Sequence, residues 1–312
     1  MMVEQVSSTG CKDKILSDTW ADNSVLELSK NISLFFLDFK KQLFGLSKVN
    51  KFPAFINDYI KQICIPEIFA YSFCDLGNKG DIKHLVVPLE SFQTYAISLY
   101  DQIEDSHLER GGEPTVLKVY GLESTLNIKK SCENIYYRLA EKLEEFVPNA
   151  KEIAQEQYNL TIRADKLRNS KNIFEPEKAI LLQNLIAGVP SQKIALLCAG
   201  DDNIQTLARN MGNSISTIDD LIDLVFLEDI KNPKTTIPLS YLVDENKRIF
   251  DMSPEKAREY FLDSNSIKKT VNYIDNELIS AQNILKSLDP FGKNILSTYT
   301  NKMQDYIRNL TK

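Results

Sequence analysis

Histidine and cysteine are scarce in this chain, and their scarcity removes several chemistries at once. The 312 residues include two His and five Cys. The cysteines, at 11, 64, 74, 132 and 198, form no Cys-x-x-Cys pair, so no zinc-ligand pattern is available. The odd count and the lack of a secretory signal make reduced thiols in a cytoplasmic protein the expectation. A dense basic tract is missing too, and with a formal net charge of -6 general affinity for nucleic acid is not expected, because phosphate-backbone binding needs concentrated positive charge. The longest apolar runs, such as Ile32 to Phe39 and Ala195 to Ala199, fall short of the roughly twenty residues a membrane span requires. The expectation is therefore not an integral membrane protein. Internal repeats and alternating β-branched strand patterns are also absent.

What the chain does have is helical periodicity. A polar, aperiodic tail at 1–20 precedes helices predicted at about 22–46, 53–76, 81–109, 117–146, 149–168, 176–199, 201–227, 253–262, 264–288 and 291–310. The breaks carry ordinary stop and start residues, including Gly77-Asn78-Lys79-Gly80-Asp81 and Gly111-Gly112-Glu113-Pro114. Gly188-Val189-Pro190 predicts a kink or split in the helix that contains it. With 43% hydrophobic residues to fill a core and no composition break, residues 21–312 read as one all-helical catalytic domain. The fold class is all-α, an orthogonal helical bundle with a central cavity; bundle interiors are common ligand sites.

Two acidic segments stand out against this background: Asp101-Gln102-Ile103-Glu104-Asp105 and Asp219-Asp220-Leu221-Ile222-Asp223. In each, the outer aspartates are four apart, so both carboxylates leave one face of a helix, one turn above the other. Such a face suits Mg²⁺, which takes a few carboxylates and completes its shell with water and phosphate oxygens. Taken alone, either segment reads more readily as a solvated charged face, and the case for metal rests on what surrounds the two. Asp220 points about 100° from Asp219 around the helix and is not read as a ligand.

The surroundings of the two segments carry a resemblance. Arg110-Gly111-Gly112-Glu113-Pro114-Thr115 follows the first, and Lys234-Thr235-Thr236-Ile237-Pro238-Leu239 follows the second; Glu156-Gln157-Tyr158-Asn159-Leu160 and Lys178 lie between. In this order the pieces resemble the trans-polyprenyl diphosphate synthase superfamily, from about residue 60 to the C-terminus. The resemblance implies an isoprenoid-synthase-like bundle with the two acidic helices facing its cavity. It implies metal ligands at Asp101, Asp105, Asp219 and Asp223 for Mg²⁺, roughly three ions with Mn²⁺ as a substitute. Arg110, Lys178 and Lys234 would hold the diphosphate of an allylic prenyl substrate, with Glu156 and Asn159 as further substrate-binding positions. Ala96 and Ile97 would line the prenyl tail. Ala96 takes the place where a bulky family residue shortens the pocket, which suggests a tail of about fifteen to twenty carbons within a range of about ten to twenty; Phe92 or Tyr95 could close it from deeper in, and plain core roles for those two are equally open. Tyr100 and His107 receive no catalytic role.

The departures from the family pattern carry as much information. Chain-elongating members hold a second diphosphate, that of isopentenyl diphosphate, with a cluster of cations. The matching positions here are Ile60 or Lys61, Gln62, Ile63, Cys64 and Ile65, with Thr94 at the histidine position and Gly111 for the second arginine. One displaced ammonium does not replace several guanidinium forks. Gln102 replaces the central Asp of the first motif, and Ile215-Ser216 stands where Phe-Gln precedes the second. The expected activity is Mg²⁺-dependent ionisation of an allylic prenyl diphosphate and transfer to an acceptor other than isopentenyl diphosphate, either a small molecule or a peptide. A class I terpene cyclase is the alternative, and a conventional synthase or its non-catalytic subunit ranks below both. A homodimer is left open as the assembled form.

Overall fold

The computed structural model of the chain describes residues 65–110, 113–169, 174–225, 234–245 and 248–288, with short stretches at 296–297, 300–301 and 303–305. The expectations for the tail at 1–20, the helix at 22–46, positions 60–64, Gly111 and most of the helix at 291–310 lie outside the described residues. Almost everything described is helical: α1 Ile65–Leu76, α2 Lys83–Glu104, α3 Val116–Leu143, α4 Ala150–Asn169, α5 Pro176–Gln183, α6 Val189–Cys198, α7 Asp202–Val225, α8 Ile237–Glu245, α9 Pro254–Asp263 and α10 Asn265–Ser287. The all-α expectation holds, with one small addition. Two-residue strands β1 (Glu109–Arg110) and β2 (Glu113–Pro114) pair antiparallel, Glu109 opposite Pro114 and Arg110 opposite Glu113. Side-chain alternation cannot signal a ladder this short.

The described residues form two compact units. The first contains 65–72 and 79–148. Its core is the packing of α2 on α3, with Leu85, Val86, Val87, Leu89, Ala96 and Leu99 buried on one helix and Tyr136, Leu139, Ala140 and Leu143 buried on the other. Thr115 caps α3, its hydroxyl accepting from the Lys118 N–H at 3.3 Å. Gly121, with φ 75, breaks the first turn of α3 from the remainder; an L side chain at that φ would be strained.

The second unit comprises 73–78 and the described residues from 149 onward. Helix α7 is its spine. Ile204, Leu207, Ala208, Met211, Ile218, Leu221 and Leu224 recur at three- and four-residue spacing and are buried, the stripe expected of a helix covered along one side. Against it pack α6 and α10, the latter through Ile274, Leu278 and Ala281. Cys74 and Cys198 are also in this unit, buried, with their sulfurs 3.2 Å apart.

The predicted break at Gly188-Val189-Pro190 is present, and its form is specific: a π turn, Asn184–Gly188, separates α5 from α6. The missing Pro190 N–H and the close approach of α7 both favour it. A side chain at Gly188 would collide with the amide of Asn213, and one at Gly212 would lie 2.6 Å from the Ala187 carbonyl and against Ser191. Across the π turn, Pro176–Cys198 spans 23 residues and holds an 18-residue window of mean hydropathy 1.3, long and apolar enough to cross a membrane, with 39% of that window buried. Isolated polar residues divide the stretch, so no long uninterrupted apolar run marks it.

Helix α8 was not anticipated. Pro233 and Pro238 flank its start and read as loop, yet Pro238 lies in the first turn, where its absent N–H costs nothing. The predicted helix at 81–109 ends earlier, at Glu104, with Ser106 in the left-handed region at φ 52.

Two consequences for stability follow. Gly212→Ala is expected to destabilise by about 1–3 kcal/mol, the usual cost of overpacking against backbone, measurable by urea titration. Burial pushes the Cys132 thiol up to about 12 from an ordinary 9.0, and burial raises the Tyr273 hydroxyl as well. Both groups keep their protons in the fold at pH values where the unfolded chain releases them. Their contribution is thus fully present below pH 9 and lost as pH rises, at up to about 1.4 kcal/mol per pH unit per group. Melting temperature should fall from pH 9 to 11, and the fall should be shallower in Cys132→Ala.

Candidate active site

In the first unit the acidic segment closes helix α2. Asp101 is in the last turn and Asp105 is the C-cap, its N–H donating to the Asp101 carbonyl at 2.9 Å. The two residues are therefore one turn apart, and both are half-buried. Gln102 between them is 8% exposed and so turns to the protein interior. His107 Nδ1 approaches Asp105 at 4.0 Å. The chain then reverses: the His107 N–H donates to the Gln102 carbonyl at 3.1 Å, and the Thr115 hydroxyl donates back to the His107 carbonyl at 2.6 Å. This brings the β1–β2 hairpin, and with it the backbone of Arg110, directly off the end of the acidic turn. Lys118 pairs with Glu109 on the hairpin and holds that carboxyl below its usual range.

Further up α2, Ala96 is fully buried and Ile97 half-buried. Phe92 and Tyr95 meet edge to face with centroids 6.3 Å apart, a favoured geometry for aromatic pairs. Thr94 is half-buried on the same helix.

In the second unit the acidic segment lies within α7. Asp219 and Asp223 are half-buried, whereas Asp220 is 6% exposed. Arg168, near the end of α4, reaches Asp220 at 3.2 Å through Nη1 and Asp165 at 3.4 Å through Nη2. Asn169 donates to the other oxygen of Asp165 at 3.2 Å. The carbonyl of the same Arg168 accepts the Thr235 N–H at 2.9 Å. Thr235 and Thr236 are buried, and Lys234 is half-buried at the head of this segment. One residue thus joins the second acidic helix to the lysine–threonine segment.

The remaining predicted residues are on the surface of this unit. Lys178 is exposed in the first turn of α5 and pairs with Glu175 at 2.8 Å. Glu156 pairs with Lys193 at 2.6 Å, joining α4 to α6, and Asn159 is exposed. The buried side of α4 instead presents Gln157, Thr161 and Asp165. Arg168 and Asp165 escaped the sequence reading. Their signal was an acid and a base three apart on a helix, continuous with the buried face that Gln157 begins.

Among the described residues no group of three or more His, Cys, Asp or Glu gathers into a closed metal cage. Each acidic turn instead offers two partly open carboxylates. This donor set fits Mg²⁺, which is held by one or two carboxylates and completed by water and phosphate.

No family model matches the chain, and no match is found among curated proteins. Solved structures do match. A decaprenyl diphosphate synthase from Rhodobacter capsulatus superposes with TM-score 0.70 at 14% identity, covering 78% of this chain and 86% of that one. A polyprenyl synthase from Caulobacter crescentus, complexed with calcium and isoprenyl diphosphate, gives 0.67 at 13% identity over 80% and 84%. An octaprenyl pyrophosphate synthase from Helicobacter pylori gives 0.66 at 16% identity over 89% and 98%. The fold of this chain is that of the trans-polyprenyl diphosphate synthases, the all-helical isoprenoid-synthase fold.

Proposed function

We propose that this protein is a divergent polyprenyl-synthase relative that ionises an allylic prenyl diphosphate of about ten to twenty carbons and transfers the prenyl group to an acceptor other than isopentenyl diphosphate. The observation that carries the reading is the linkage in the second unit, where Arg168 ties the Asp219–Asp223 turn to the Lys234 segment. Metal-binding carboxylates and a diphosphate-binding lysine are what such a reaction must hold in register.

Asp101, Asp105, Asp219 and Asp223 are the metal ligands in this reading. When bound, Mg²⁺ supplies positive charge to the departing pyrophosphate. Arg110, Lys178 and Lys234 are assigned to the diphosphate oxygens, adding fixed charge where negative charge grows as the carbon–oxygen bond breaks. Ala96 and Ile97 belong to the apolar wall that keeps water from the allylic cation. Gln102, replacing the acidic centre of the first motif and turned inward, lowers the charge offered to metal on that side. The acceptor assignment rests on the missing cations: Gln62, Ile63, Ile65, Thr94 and Gly111 provide none, and a second diphosphate without fixed cations is better solvated by water.

Purified protein given Mg²⁺ and geranyl, farnesyl or geranylgeranyl diphosphate should release pyrophosphate, and chelation should abolish the release. Asp101→Ala and Asp219→Ala should each lower the rate by at least about a hundredfold, as when a preorganised electrostatic element is lost. Full activity in chelator overturns the reading. Volatile cyclic hydrocarbons in the extract would assign the protein to the cyclases.

Radiolabelled isopentenyl diphosphate, supplied with any of these allylic substrates, should not be incorporated into longer prenyl diphosphates. Efficient elongation would return the protein to the ordinary synthases.

A further inference from the structure

We propose that Arg168 is a positioning residue that sets which carboxylates of the second acidic segment are offered to metal. The inference rests on the reading of Asp219 and Asp223 as metal ligands. Its basis is a conflict within one helical turn. Successive residues on a helix are 100° apart, so Asp219 and Asp220 cannot face the same way, and any rotation of α7 that exposes one buries the other. Asp219 and Asp223 are half-buried, and Asp220 is 6% exposed.

A carboxylate withdrawn from water needs a hydrogen-bonded counter-charge. Arg168 supplies it at 3.2 Å while its other terminal nitrogen holds Asp165 at 3.4 Å. A planar guanidinium presents separate nitrogens in a fixed fork to the two carboxylates, which a compact ammonium matches less well. Asp165 in turn is held by Asn169 at 3.2 Å. The fork therefore anchors α7 to α4 in the rotation that leaves Asp219 and Asp223 to the metal.

The main chain of the same residue acts on the other half of the site. The Arg168 carbonyl lies in the last turn of α4, where carbonyls have no partner within the helix, and it accepts the Thr235 N–H at 2.9 Å. Lys234 is the adjacent residue. Arg168 is thus placed to hold metal-binding carboxylates and the lysine segment in one register, and the side-chain part of that task is open to mutation without touching the main-chain part.

The test is Mn²⁺ binding by the full chain in the presence of inorganic pyrophosphate, followed by electron paramagnetic resonance, alongside the Mg²⁺ concentration for half-maximal pyrophosphate release. Arg168→Met should weaken Mn²⁺ binding by about tenfold or more, the scale seen when a group supporting a metal ligand is removed. Arg168→Lys should fall between Met and wild type. Asp220→Asn, which removes the charge that Arg168 holds, should weaken binding by a factor similar to Arg168→Met, and the double variant should lose little more than either single change because both act through one link, whereas Asp219→Asn should lose about tenfold or more in either background. Activity should fail mainly through a raised Mg²⁺ requirement, with the rate at saturating metal less affected.

Circular dichroism and gel filtration establish that each variant is folded; should Arg168→Met not fold, Arg168→Lys and Asp220→Asn carry the test. Wild-type affinity in the Arg168 variants, or Arg168→Met and Asp220→Asn losses that simply add in the double variant, overturns the proposal alone. Absence of Mn²⁺ binding by the wild-type protein overturns the metal-site reading beneath it, and the proposal with it.

Discussion

Crowding three aspartates into one turn of α7 is the electrostatic problem around which the second unit is organised. Like charges one turn apart destabilise a helix, and a buried carboxylate without a counter-charge costs far more than a surface one. The Arg168 guanidinium resolves the buried member. Removing one partner of such a pair characteristically costs about 3–5 kcal/mol, because the other is stranded. That figure is a large fraction of a domain's total stability. The pair therefore does more than decorate the site: the packing of α4 on the acidic end of α7, and the start of the segment leading to α8, depend on it. In the first unit the corresponding problem is smaller. Asp105 is the C-cap of α2 rather than an interior residue, and the helix stops before a third charge has to be buried.

How far the sequence reaches depends on whether the signal is local. Helix α7 was legible almost to its ends, because an apolar stripe at three- and four-residue spacing survives any neighbour. The acidic turns were legible for the same reason, since a spacing of four on a helix fixes their mutual geometry. Helix α8 was not, because its prolines read as loop until the position of Pro238 in the first turn is known. The roles of Glu156 and Lys178 illustrate a second limit. Motif position alone does not say which face of a helix is covered, and the structure gives both residues exposed ion pairs. Arg168 illustrates a third limit, because its spacing from Asp165 marks a local pair but not the contact with α7. Its partner lies 52 residues away, and no pattern within α4 announces a contact of that range.

In this chain the fold does not by itself decide the reaction. The backbone follows polyprenyl and geranylgeranyl pyrophosphate synthases, at identities of 13–18%, which establish architecture alone. Site chemistry has to be argued from residues. In the proposed reading, those retained would serve one diphosphate and its metal, and those replaced, from Gln62 to Thr94, are the ones a second diphosphate would require. Gln102 points the same way. A neutral amide turned inward between two half-buried carboxylates keeps their spacing but reduces the charge of the first motif, a change tolerable where less anionic charge has to be gathered.

The π turn at Asn184–Gly188 has a consequence for reading the chain against its relatives. A turn closed by bonds five residues apart holds one residue more than the α turn it replaces. Every position after it is therefore rotated by about 100° relative to an uninterrupted helix. Against a helix without such a turn, an ungapped alignment that is correct at Lys178 would be out of frame at Ile194 and Leu197, pairing buried residues with exposed ones. A single added residue, accommodated by Gly188 and Gly212 at the crossing with α7, can separate two sequences in an alignment while leaving their folds superposable.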